Sequence, residues 1–161
     1  MKKEETKSNI KTILVNKKAG FDYEFVESIE CGIVLEGTEV KSLREGRASF
    51  GASYIKFVGN RMVLVGFTIQ PYALGGNTFN HEPMRDRYLL ISKQEMKHLK
   101  RKVDEKGYTL VARKIYFKGN LIKVEVCLSK GRDYQGKKQM LKERDIRRDA
   151  DREIKSIKRL S

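Results

Sequence analysis

Apolar and polar positions change period several times along this chain, and each change marks an element. Phe21, Tyr23 and Phe25 alternate with polar neighbours, which predicts a long strand that bends or bulges before running on through Cys31, Ile33 and Leu35. The period then lengthens. Val40 and Leu43 lie three apart on one helical face, while Lys41, Arg44 and Glu45 point elsewhere. Thr38 is placed to cap this helix, Glu39 suits its positive end, and Gly46 suits a left-handed residue after its last turn. A helix of two turns is too short to be stable alone, so it has to dock. The open end of a β-barrel is the simplest seat, with the cations carried outward.

Two hairpins follow the same logic. Residues 53–58 and 62–67 form β-rich arms around Gly59 and Asn60; residues 109–118 and 121–128 do so around Gly119 and Asn120. Between them, residues 73–80 read as a loop centred on Gly75 and Gly76, leading into His81, Glu82 and Pro83. Residues 87–91 read as a strand. Ser92 and Glu95 then form a capping box, and Met96, Leu99 and Val103 form the apolar stripe of a helix that ends at Gly107. Residues 16–20 read as a basic turn and residues 1–9 as disordered, having almost nothing to bury.

The fold class is mainly β, with about six antiparallel strands, two or three short helices and a flexible basic C-terminal tail. This pattern fits a small closed barrel of the oligonucleotide-binding (OB) type or a sandwich. The expected division is a flexible N-terminus at residues 1–12, a barrel at 13–130 and a tail at 131–161. In the tail the β-pattern disappears. Residues 130–161 hold twelve Lys or Arg against six Asp or Glu, with one narrow apolar stripe, Ile146, Ala150, Ile154 and Ile157. Glu143 with Arg147 and Asp151 with Lys155 form favourable pairs four apart, each contributing about 0.2–0.5 kcal/mol. Such a segment is competent to form a helix but has little to hold it on the barrel. It is expected to be disordered when free and helical on a partner.

Charge changes the picture from fold to partner. The 161 residues carry 35 Lys and Arg and 21 Asp and Glu, a formal net charge of +14, far above what solubility requires. A polyanionic partner is implied. The cations flank turns and short helices and are interleaved with Tyr23, Phe79 and Tyr88, the combination that unstacked bases require. Catalytic chemistry finds no footing: there is no nucleophile motif, no Cys–His arrangement and no phosphate-cradling glycine loop. Cys31 and Cys127 read as reduced thiols in strands, and His81 and His98, far apart and without clustered partners, do not suggest a metal site. No cofactor is expected. No apolar run approaches the roughly 20 residues that span a bilayer, and the N-terminus has no signal-peptide core, so a cytoplasmic monomer without membrane contact is expected.

The run GIVLEGTEVKSLREG resembles the signature of the SsrA-binding protein (SmpB) family, the protein partners of transfer-messenger RNA. The resemblance continues through Asn16, Lys17, Lys18 and Ala19, then His81, Glu82 and Pro83 with Arg85 and Arg87, then Lys106, Gly107 and Tyr108, then Lys130 and Gly131. It decides for the barrel over the sandwich. It implies a non-enzymatic adaptor whose barrel grips the tRNA-like domain of transfer-messenger RNA in place of the missing anticodon arm, and brings it to stalled ribosomes. It also implies an RNA-binding surface of Asn16, Lys17, Lys18, Glu30, Lys41, Arg44, His81, Arg85, Arg87, Tyr88, Leu90 and Ser92. Tyr88 stands where the family usually has Lys, which leaves two readings: stacking in place of a cation contact, or a lesser role for the site. Glu30 has two readings, acceptor from base amino groups or partner of a nearby Lys.

For the tail, the resemblance implies entry into the small-subunit decoding centre and the empty messenger channel. The residues concerned are Gly131, Arg132, Tyr134, Gln135, Lys137, Lys138, Lys142, Arg144, Ile146, Arg147 and Ile154. The family's usual Asp–Lys–Arg appears here as Gly136, Lys137 and Lys138, so two cations remain and the acid is lost. Two other functions share the charge and size: a structural ribosomal protein and a non-specific single-strand RNA binder. The scarcity of aromatics relative to cations weighs against the second.

Overall fold

A computed structural model describes residues 9–74, 80–132 and 134–160. The expected disorder of residues 1–8, the centre of the loop before His81 and Phe79 lie outside the described residues.

Six strands close a ring. β2 (Tyr23–Ile33) pairs with β9 (Leu121–Gly131), β9 with β8 (Thr109–Lys118), β8 with β4 (Tyr54–Val58), β4 with β5 (Arg61–Val65), β5 with β7 (Arg87–Leu90), and β7 returns to β2. Every pairing is antiparallel, so the strands form the small closed barrel expected, without a free edge along the ring. β1 (Ile10–Val15) lies beside residues 114–118 of β8, on the edge whose other half receives β4 at Leu110. This strand starts inside the segment expected to be flexible; its exposed residues alternate too weakly to announce it. A separate pair, β3 (Ala48–Ser49) with β6 (Thr68–Ile69), was also invisible in sequence because each strand has only two residues.

The expected bulge in the long strand is present: the β2–β9 register shifts between Phe25 and Glu27. The start of that strand differs from expectation. Residues read as a basic turn form a short helix, α1 (Lys17–Asp22), because Asn16 caps its N-terminus and ties that end to β8. Its side-chain oxygen accepts from the Ala19 amide at 3.1 Å and its amide nitrogen donates to Ala112 O at 2.9 Å.

Inside the ring, Cys31, Met62, Leu64, Leu89, Leu110, Ile115, Val124 and Val126 form the centre of the core. α2 (Gly37–Arg44) adds Leu43, and α3 (Lys93–Lys106) adds Leu99 with Met96 and Val103 packed against it. α3 has the boundaries its pattern predicts. Ser92 accepts from the Glu95 amide at 3.2 Å, and Gly107 adopts φ +66°, a left-handed conformation that glycine reaches without a Cβ penalty. The chain ends in one long helix, α4 (Tyr134–Leu160), exposed throughout residues 141–152.

Cys31 and Cys127 are both buried and unpaired in strands. Burial pushes the Cys31 thiol up to about 12 and the Cys127 thiol up to about 11, so neither forms a thiolate near neutral pH. In the native protein at pH 8, neither should react with a disulfide reagent such as DTNB within the time that denatured protein reacts completely. Fast labelling of one thiol in native protein is the contrary result.

Candidate nucleic-acid interface

The acid in the first turn of the short helix is its foundation. Glu39 sits on the buried side of α2, with no exposed side-chain surface, and its Oε1 accepts from the Glu36 amide at 2.8 Å. Glu36 rather than Thr38 therefore begins the helix. The same Oε1 accepts from Arg85 Nε at 3.0 Å and from a second nitrogen of Arg85, while Oε2 accepts from Arg87 Nε. Burial pushes the Glu39 carboxyl up. The hydrogen bonds from Arg85, the Glu36 amide and Arg87 outweigh it and leave the group below the usual carboxylate range. The Arg87 guanidinium, equally buried, is pushed down by burial and drawn back by Glu39. Its remaining N–H groups donate to the carbonyls of Phe67 at 2.6 Å, Arg85 at 3.1 Å and Pro83 at 3.1 Å.

His81 belongs to the same bracket. Its Nε2 donates to Ile69 O at 2.8 Å, a carbonyl that can only accept. In the neutral ring Nδ1 then accepts from the Thr38 hydroxyl at 2.9 Å, which gives Thr38 a role other than capping. The segment carrying His81, Arg85 and Arg87 thus clamps α2 onto the barrel.

Part of the expected RNA-binding set lies inside the protein. Asn16, His81 and Arg87 are buried, and their side chains hydrogen-bond to other parts of the chain. Arg85 is about a quarter exposed and committed to Glu39. The buried Glu39 carboxylate gives Arg85 and Arg87 a structural partner.

The exposed members of the set fall on three surfaces. On α1, Lys17 and Lys18 face solvent. On α2, Lys41 and Arg44 project away from the buried Glu39, Ser42 and Leu43, and Lys41 Nζ lies 5.3 Å from the centroid of the Tyr72 ring. The third surface is the outer face of the barrel. Gly32 pairs with Leu90 on one side and with Lys123 on the other, so three strands place Leu90, a gap and a cation in one row. A Cβ at Gly32 would come within 3.2 Å of Leu90 Cβ, so glycine keeps the row open.

Glu30 lies on this face and accepts from the Tyr116 hydroxyl and from Lys118 Nζ at 3.1 Å, the lysine-paired reading of this residue. The Tyr116 and Lys118 bonds hold its carboxyl below the usual range, whereas burial and Glu30 push the Tyr116 phenol up. Tyr88 is exposed, with the Arg61 guanidinium 4.9 Å from its ring centroid. Ser92 remains exposed while capping α3. Lys123, Lys118, Tyr116 and Arg61 were missed from sequence because only register brings them beside Glu30, Leu90 and Tyr88.

The tail starts against α1. Arg132 donates its backbone N–H to Asp22 O at 2.8 Å and its Nε to Tyr23 O at 3.2 Å, so this residue anchors the exit of β9. Lys137 Nζ pairs with Asp22 at 3.3 Å and lies 5.8 Å from the Phe21 ring centroid. Gly131, Lys138, Lys142, Arg144, Ile146 and Arg147 are exposed. The side chains of Tyr134, Gln135, Ile154 and Ile157 lie outside the described ones.

A closed six-stranded barrel with a clamped surface helix and outward cations defines a small β-barrel protein of the nucleic-acid-binding class. The family model described as "SmpB protein" matches residues 13–156. The chain is 49% identical over 92% of its length to the SsrA-binding protein of Treponema denticola, covering 96% of that protein. It is 42% identical over 94% of its length to the SsrA-binding protein of Pelotomaculum thermopropionicum, covering 98% of it. A solved structure described as "tmRNA-SmpB: a journey to the center of the bacterial ribosome" superposes with a TM-score of 0.64 at 42% identity, over 76% of this chain and 86% of that one. The chain belongs to the SmpB family.

The Glu39 clamp has a sign that can be checked. A carboxyl held below its unfolded value contributes stability that is present above about pH 4.5 and lost as pH falls through the lower folded value. Glu39→Gln should lower stability at pH 7 by about 3–5 kcal/mol, because it leaves Arg87 buried without its counter-charge. Its stability should also vary less with pH below 4.5 than the wild type's. Urea unfolding at several pH values measures both. Equal acid dependence in the two proteins would place the titrating group elsewhere.

Proposed function

We propose that this protein is a non-enzymatic RNA-binding adaptor of trans-translation. It binds the tRNA-like domain of transfer-messenger RNA, replaces the missing anticodon arm and delivers the RNA to stalled ribosomes in the cytoplasm. One observation carries the reading: near-complete coverage, at 49% identity, of a relative named for binding SsrA. The solved structure named for tmRNA and SmpB at the bacterial ribosome supports the same partners.

Within this reading the barrel, residues 13–130, holds the RNA. Lys17, Lys18, Lys41 and Arg44 supply phosphate contacts, and the outer face supplies Glu30, Tyr88, Leu90 and Ser92 together with Lys123. The tail, residues 131–161, acts on the ribosome through Gly131, Arg132, Tyr134, Gln135, Lys137, Lys138, Lys142, Arg144, Ile146, Arg147 and Ile154. In the decoding centre and the empty messenger channel it is helical. The exposure of residues 141–152, with Ile146 at 69%, supports this division.

Binding should be steeply salt-dependent. Each neutralised phosphate contributes about 0.7–0.9 to the slope of log K against log salt, so several contacts give a slope of several units. Lys41→Ala or Arg44→Ala should weaken binding and flatten the slope by about one unit. Filter binding between low and physiological salt measures this, and a wild-type slope near zero would remove the electrostatic basis of the proposal.

Barrel and tail should separate. Deletion of residues 136–161 should leave affinity for transfer-messenger RNA nearly intact and abolish peptide tagging on stalled ribosomes. Ala150→Pro should mimic the deletion, because proline costs a helix interior about 3 kcal/mol while every charge remains. Normal tagging by Ala150→Pro would show that the tail works as an extended string of cations. A structural ribosomal protein would instead stay on salt-washed ribosomes, whereas the adaptor should be released by the wash.

A further inference from the structure

A cleft opens beside α1, on the side that carries Lys18. It lies between α1 and the turn joining β3 to β4 and encloses about 350 Å³. Lys18 and Tyr23 line one side, Gly51, Ala52 and Tyr54 the other, and Val111 of β8 completes the lining. A second groove of about 280 Å³ continues from it, sharing Asn16, Lys18 and Gly51 and adding Lys17. This groove reaches β3, which directly follows the end of α2 and its Arg44. A continuous depression therefore runs from the cations of α1 to β3.

The cleft has the chemistry of a nucleotide site. Tyr54 is 48% exposed although it sits on a barrel strand, which leaves an aromatic face available at the rim. Lys18 is an exposed cation on the other wall. The one acid in the lining, Asp22, is already paired with Lys137, so it leaves no free negative charge to repel a phosphate. Gly51 and Ala52 present little side chain between the walls. Both walls are also held in place before any ligand arrives: α1 by the two Asn16 bonds, and the turn by Ser53 N donating to Phe50 O at 2.9 Å with Gly51 at φ +51°. Preorganisation of this kind lowers the cost of binding.

We propose that this cleft takes one unpaired nucleotide of the bound RNA, with its base against Tyr54 and its phosphate on Lys18. The proposal rests on the RNA-binding reading above and adds to it a site for a single-stranded element. A base stacked on an aromatic ring is sequence-tolerant, so the cleft selects for an unpaired position rather than for one base.

The test uses the full-length protein with two probes, a transcript of the transfer-messenger RNA tRNA-like domain and a blunt RNA duplex of equal length. Tyr54→Ala should weaken binding to the transcript about tenfold, the scale of one lost stack, and leave duplex affinity within about twofold. Tyr54→Phe keeps the ring and should bind the transcript as the wild type does. Ala52→Glu places a negative charge in the cleft at an exposed turn position and should reproduce the loss, deciding the matter if Tyr54→Ala does not fold. Wild-type affinity in folded Tyr54→Ala or in Ala52→Glu overturns the cleft and leaves the RNA-binding reading standing. Equal losses on both probes overturn the assignment to an unpaired nucleotide. A wild-type protein that does not prefer the transcript over the duplex overturns the RNA-binding reading, and the cleft falls with it.

Discussion

The surface helix of this barrel depends on one buried carboxylate. Glu39 ties the first turn of α2 to two arginines from a segment more than forty residues away, and Thr38 adds a bond to His81 of the same segment. Eight residues contribute a single large apolar side chain, Leu43, to the core. Short helices have too few internal hydrogen bonds to persist on their own. The ionic bracket makes up the difference, and Arg87 extends it into the barrel by satisfying three carbonyls at once. Such a buried network is stable only while complete, because removal of either partner strands the other charge away from water.

The bracket also sorts the cations. A net charge of +14 does not say which charges face a partner. Arg87 and most of Arg85 are consumed in holding α2, and Arg132 in anchoring the exit of β9. Lys41 and Arg44 face solvent because the opposite side of their helix is fixed inward by Glu39. Structural arginines thus set the orientation of candidate RNA-binding ones. On the outer barrel face a different device operates: antiparallel register aligns Leu90, Gly32 and Lys123, and Glu30 is steadied by Tyr116 and Lys118.

The tail meets the barrel at α1, the same helix that carries Lys17 and Lys18 and forms one wall of the cleft. Lys137 bridges to Asp22, and Arg132 bonds the backbone at both Asp22 and Tyr23. Among the described residues, these bonds join barrel and tail where α1 ends and β2 begins. An arrangement of this kind fixes where the tail leaves the barrel while allowing most of its length to answer to another surface.

Much of the architecture was legible in the sequence because it depends on local chemistry. The two hairpins follow from β-rich arms around Gly–Asn turns, the limits of α3 from Ser92 and Gly107, and the bulge in β2 from a break in its alternation. The family signature was legible as well, since it is a string of residues in fixed order. Tertiary structure alone decided the rest. Thr38 looked like a cap because local rules favour threonine there, and only the approach of His81 gave its hydroxyl another partner. Arg87 looked like an interface cation because sequence records its charge and not its burial. β1 had no pattern of its own, since its place is set by the edge of β8 that β4 leaves uncovered. Lys123 joined Leu90 only through strand register, which no single segment contains. Local propensity acts within a few residues, whereas the pairing of Glu39 with Arg87 and of Gly32 with Lys123 requires the whole barrel to close.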